Sequence, residues 1–138
     1  MKKIILLFLL VFNTLSYAQN VEMGAVQYFK ITQTKDIKKT GYQLVLKKVL
    51  SDYRCPEGVS CVWAGEIKVL VSVYKNQKLV QDEFITISEK HNKANSKWLS
   101  EYLPSNHKKI VSIGVFPYPK EGVPINPKDY FIRIGYVK

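Results

Sequence analysis

The chain is poor in the residues that catalysis and metal chemistry draw on: 138 residues hold two cysteines and two histidines. His91 and His107 fall in one polar stretch without the short ligand spacing of a structural zinc site, so neither zinc nor copper is expected. No serine or cysteine sits in a recognisable nucleophile motif beside a histidine, and no catalytic residue or cofactor is expected. Five residues rather than two lie between the cysteines, which argues against a redox-active dithiol. Internal repeats, domain linkers and a long helical period are all missing. The longest unbroken apolar run, Ile4 to Phe12, is too short to span a bilayer comfortably.

What is present at the N-terminus is an address. Lys2 and Lys3 precede that run, and Ser16-Tyr17-Ala18 offers small residues where a signal peptidase reads. Residues 1–18 are therefore expected to be a signal peptide and residues 19–138 a single domain in the periplasm or the medium. Loss of Lys2 and Lys3 lowers the formal charge from +10 to +8. A domain of this length buries roughly 65% of its unfolded surface, so it needs no staple to fold. The basic charge is spread along the chain and carried by lysine rather than arginine, which speaks against planned bidentate phosphate contacts and against nucleic acid as a partner.

Strand patterns dominate the remainder. Ala25 to Gln33 is rich in β-branched and aromatic residues, and Tyr42, Leu44 and Leu46 alternate with Gln43, Val45 and Lys47 in a strand running to about Leu50. The clearest segment places Ile67, Val69, Val71 and Val73 on a dry face and Glu66, Lys68, Ser72 and Tyr74 on a mostly wet one. Asn76-Gln77-Lys78 turns it into a returning strand, Leu79 to Ser88. Within the irregular stretch 89–107, Trp98-Leu99 and Tyr102-Leu103 have the spacing of a short helical turn ended by Pro104. Strand pattern resumes at Ile110–Phe116 and at Tyr130–Val137, where Tyr130, Ile132, Ile134 and Tyr136 share a face. The expectation is an all-β fold, an antiparallel β-sandwich or partly open barrel of about six or seven strands. The prolines between the last two strands favour a chain that switches sheets there.

The densest stretch is Asp52 to Glu66, between two strand patterns. Cys55 and Cys61 are expected to close a disulfide, with Pro56 and Gly58 supplying the turn. The chain-entropy model gives so short a ring about 2 kcal/mol, so its main effect would be to fix loop shape. Asp52, Arg54, Glu57 and Glu66 would be presented on that ring with Trp63 beside it, and Tyr118 is a further aromatic able to stack on a ligand. These six form the expected binding surface. Two structural readings stand beside it: Arg54 with Asp52 as an internal stiffening pair, and Trp63 as core packing against the disulfide. A carboxylate pair for glycoside hydrolysis drawn from Asp52, Glu57 and Glu66 is a further reading, and the stretch from Lys90 to His107 is another possible working surface.

The pattern Asp52-x-Arg54-Cys55-Pro56-x-Gly58-Val59-x-Cys61-x-Trp63-Ala64-Gly65, followed by a valine-rich strand, resembles a motif of small exported or lipid-anchored bacterial proteins of Bacteroidetes type. Val115 to Pro119 with Tyr130 to Lys138 is similar to the closing segment of that group. The resemblance implies export but no activity, and a lipidated cysteine common in such proteins is not found near Ala18. The concentration of rigidifying and exposed-type residues in the Asp52–Glu66 stretch, without a catalytic constellation, gives the expectation of a non-enzymatic binding or accessory domain of the cell envelope, monomeric, with a protein or glycan partner and no transmembrane segment in the mature chain. The alternative is a small secreted hydrolase or hydrolase inhibitor.

Overall fold

A computed structural model describes residues 25–107 and 109–137. The expected signal peptide, residues 1–18, lies outside them. Among the described residues, six strands form two three-stranded antiparallel sheets. Strands β1 (Gln27–Ile31), β5 (Ile110–Phe116) and β6 (Phe131–Tyr136) make one, in the order β1-β6-β5. Strands β2 (Tyr42–Asp52), β3 (Ile67–Lys75) and β4 (Lys78–Ile87) make the other, in sequence order. The sheets face each other across one core and do not close into a barrel, so the sandwich is the form adopted.

The core follows the alternation. Ile67, Val69, Val71 and Val73 of the central strand β3 are essentially fully buried, as are Ile132 and Ile134 of β6. Removing each such side chain from water is worth roughly 1.5–3 kcal/mol. Strand β2 departs from simple alternation through irregularities between Leu46 and Lys48 and between Val49 and Ser51. Strict alternation would turn Lys48 and Leu50 inward. The first bulge instead keeps the Lys48 ammonium in water and brings Val49 against the core, and the second restores phase so that Asp52 ends up opposite Ile67. The β3–β4 hairpin turns on Asn76 and Gln77, both at positive φ (50° and 66°), matching a two-residue turn of the primed kind.

Three expectations are corrected. The chain does not switch sheets between its last two strands: β5 and β6 pair with each other, and the proline-rich connection loops outward and returns. Sheet changes occur from β1 to β2 and from β4 to β5. The helical turn around Trp98 is an 11-residue helix, α1 (Asn92–Tyr102), in which Leu99 and Asn95 are buried and Asn95 Nδ2 donates to Thr86 O of β4 at 2.8 Å. Its polar composition hides it, because its apolar contacts come from only a few residues packed against the sandwich. The wet face of β3 is also partly covered: Ser72 is buried and donates to Asp82, beneath the connection from β1 to β2. That connection is anchored through Gln43, which accepts from Lys38 N and donates to Asp36 O.

Candidate functional site

The stretch from Asp52 to Glu66 continues the β2–β3 ladder before it opens into a loop. Tyr53 N donates to Glu66 O and Cys55 N to Ala64 O, both at 2.9 Å, and the Cys55–Cys61 disulfide joins the two sides just beyond, its Cα atoms 6.0 Å apart. Gly65 makes this neck possible. Its φ is +80°, and a Cβ there would lie 2.0 Å from Tyr53 O. The far side of the loop is tied to the β5–β6 connection by Glu57 N donating to Pro119 O at 2.9 Å, with Lys120 4.0 Å from the Glu57 carboxylate.

The six expected surface residues divide into two groups. Asp52 and Arg54 form an internal pair, with only 14% and 7% of their side chains exposed. Arg54 Nε and one terminal nitrogen donate to the two Asp52 oxygens at 2.8 and 2.6 Å, a bidentate fork. The same guanidinium donates to Val115 O and to Pro117 O at the end of β5, and stands 4.9 Å from the Tyr118 ring. Tyr130 donates its hydroxyl to Asp52 Oδ2 at 3.0 Å. Burial pushes the Asp52 carboxyl up, but the hydrogen bonds and charge of Arg54, with help from Tyr130, outweigh burial and hold it below the usual 3.8. Burial and the neighbouring carboxylate push the Tyr130 phenol up. Asp52 is thus an ionised carboxylate with its lone pairs committed, unsuited to act as a proton-donating acid at neutral pH.

Trp63, Glu57, Glu66 and Tyr118 stay accessible to differing degrees. Trp63 is 61% exposed and does not enter the core, so the packing reading fails; Val62 beside it is fully exposed. The disulfide holds the indole out at the lip of a groove. One part of the groove, about 280 Å³, is bounded by Trp63, Ala64, Gly65, Glu66, Ser88 and Lys90. The adjoining part, about 240 Å³, shares Ala64, Gly65, Ser88 and Glu89 and runs between Ile87 of β4 and Ile113 to Phe116 of β5 as far as Tyr118. It is the mouth of the sandwich between the free edges of the two sheets, next to the part that α1 covers. The Ser88–Asn92 turn forms its far wall: Lys90 to Asn92 belong to the stretch expected as another possible working surface, whereas Ser88 and Glu89 were missed as site components, their only signal being the polar break after β4.

Ser88 Oγ lies 2.8 Å from His91 Nδ1, one turn apart. The second histidine, His107, is engaged elsewhere, between the rings of Phe29 and Tyr136. Among the described residues, no acidic side chain is hydrogen-bonded to the His91 ring to orient it as a base, and no three His, Cys, Asp or Glu side chains converge as a metal cluster. The Ser88–His91 contact braces the start of the turn. Among the described residues no helix is long and apolar enough to cross a membrane.

The fold and site together define a disulfide-stapled antiparallel β-sandwich with an aromatic-lipped groove at one open edge. No family model, curated protein or solved structure matches the chain.

Proposed function

We propose that the protein is an exported, non-enzymatic binding or accessory domain of the cell envelope, monomeric, and that the stapled loop with its groove is its contact surface for a protein or glycan partner. The observation that carries this reading is Trp63, held 61% exposed on a loop fixed by a disulfide, a ladder neck and the Asp52–Arg54 fork. A large apolar side chain kept in water on a rigid support has lost little freedom when a partner covers it, which is the physical basis of a preorganised anchor. Export fits the disulfide, which persists in oxidising compartments, and it fits the resemblance of the cysteine motif to small exported Bacteroidetes-type proteins.

The test is affinity capture from the native envelope and culture medium with the chain from Gln19 onward, beside Trp63→Ala and Glu57→Ala variants. The expected outcome is a specific partner or glycan fraction whose retention falls at least tenfold with Trp63→Ala while the melting temperature is unchanged. Retention equal to wild type in both variants would remove the loop as the contact surface.

A further inference from the structure

The outward face of the β2–β3–β4 sheet is a separate surface from the groove. Lys48, Leu70 and Phe84 are directly opposite one another across the three strands, and Ser51, Lys68 and Thr86 form the next row. Phe84 is 71% exposed on edge strand β4, and Leu50, at the second bulge of the opposite edge strand β2, is exposed as well. Tyr53 continues the alternation beyond β2 and is exposed too. The sheet thus carries an exposed phenyl ring at one edge and a leucine and a phenol at the other, with the half-buried Leu70 and the exposed Lys48 and Lys68 between them.

The charge of this face selects its partner. Residues 32–52 and 66–87, which make up this sheet and the connection lying on it, carry eight lysines against Asp36, Asp52, Glu66, Asp82 and Glu83, a net charge of +3. Asp82 is neutralised by Lys47 at 2.6 Å and accepts from Ser72, and Glu66 lies 3.8 Å from Lys68, so these two acids already have cationic neighbours. A second copy of the chain seated on this face by a two-fold axis would set Lys48 and Lys68 against the same lysines, so self-association is disfavoured. The complementary partner is broad, negatively charged and apolar just beneath its charged layer. We propose that this face docks peripherally on an anionic lipid bilayer. Phe84, Leu50 and Tyr53 enter the headgroup region, and the lysine stems lie along the interface with their ammonium groups at the phosphates.

Co-sedimentation of the chain from Gln19 with vesicles tests this, comparing phosphatidylcholine alone with phosphatidylcholine mixed with phosphatidylglycerol. Binding is expected only to the mixed vesicles and should be lost at high salt. Phe84→Ser and Lys48→Glu should each weaken it about tenfold. Both side chains are exposed, so melting temperatures should not change. Trp63→Ala should leave vesicle binding intact, which separates this surface from the groove. Equal binding to both vesicle types, insensitivity to both substitutions, loss of binding with Trp63→Ala, or an acidic protein captured with no vesicle binding would each overturn the proposal.

Discussion

Tyr130 donates a hydrogen bond to the Asp52 carboxylate at 3.0 Å across 78 positions of sequence, joining the end of β2 in one sheet to the residue that enters β6 in the other. Arg54 completes the link by gripping the same carboxylate and the carbonyls of Val115 and Pro117. The base of the stapled loop is therefore part of the sandwich's cross-sheet bracing. The rigidity of the exposed lip above it originates here.

Breaking this fork should be costly because it strands a partly buried carboxylate and frees two carbonyls. Arg54→Ala is expected to lower stability by about 3 kcal/mol, a fall of roughly 10 °C in melting temperature for a domain of this size. The Asp52→Ala, Arg54→Ala double variant should lose less than the sum of the singles. A thermal-denaturation double-mutant cycle measures the coupling, and strict additivity would contradict the fork.

The pH dependence has a definite sign. Asp52 is held below 3.8 in the folded state, so its contribution is fully present above that value and is lost as pH falls through the lower folded value. Asp82, held down first by the hydrogen bond from Lys47, adds to the same acid limb. Melting temperature measured from neutral pH down to about pH 2 should therefore drop on the acid side, and the drop should be shallower in Asp52→Asn, with a remnant from Asp82. An identical acid limb in the variant would refute the assignment.

Gly65→Ala is expected to disturb the neck more than any exposed loop substitution. The positive φ costs roughly 1–2 kcal/mol for a residue with a Cβ, and that Cβ would collide with Tyr53 O, so a loss above about 2 kcal/mol is predicted. Urea denaturation checks this, with Gly58→Ala as comparison, where φ is also positive but no atom lies within 4 Å of the added carbon.

Much of the fold could be read from the chain, because β3 and β6 alternate cleanly and their apolar faces became the core. The site was legible only in part. That Arg54 pairs with Asp52 follows from their closeness in sequence. That the pair also holds Val115, Pro117 and Tyr130 depends on contacts 61 to 78 positions away that no local pattern encodes. Trp63 could be placed on either side of the surface from sequence alone, since a tryptophan beside a disulfide suits a core as well as a lip. The groove needed the β4–α1 turn, and α1 is concealed by a composition of Asn, Ser and Lys around its few apolar contacts.

Substituting both cysteines, Cys55→Ala with Cys61→Ala, should cost about 2 kcal/mol and leave the sandwich folded, because the ring is short and the core independent of it. Partner retention should fall further than stability does, as the freed loop no longer holds Trp63 at the lip. Circular dichroism with capture in parallel reads both, and full retention by the folded variant would show that loop rigidity is not needed.

The central claim, that the Trp63 lip is where a partner sits, is tested most directly by site-specific photo-cross-linking in the native envelope. A benzophenone amino acid replaces Trp63 in one variant and, in the other, Tyr28, an exposed residue of β1 in the opposite sheet. The account predicts discrete cross-linked products from position 63 and none from position 28. Products from position 28 with none from position 63 would contradict it.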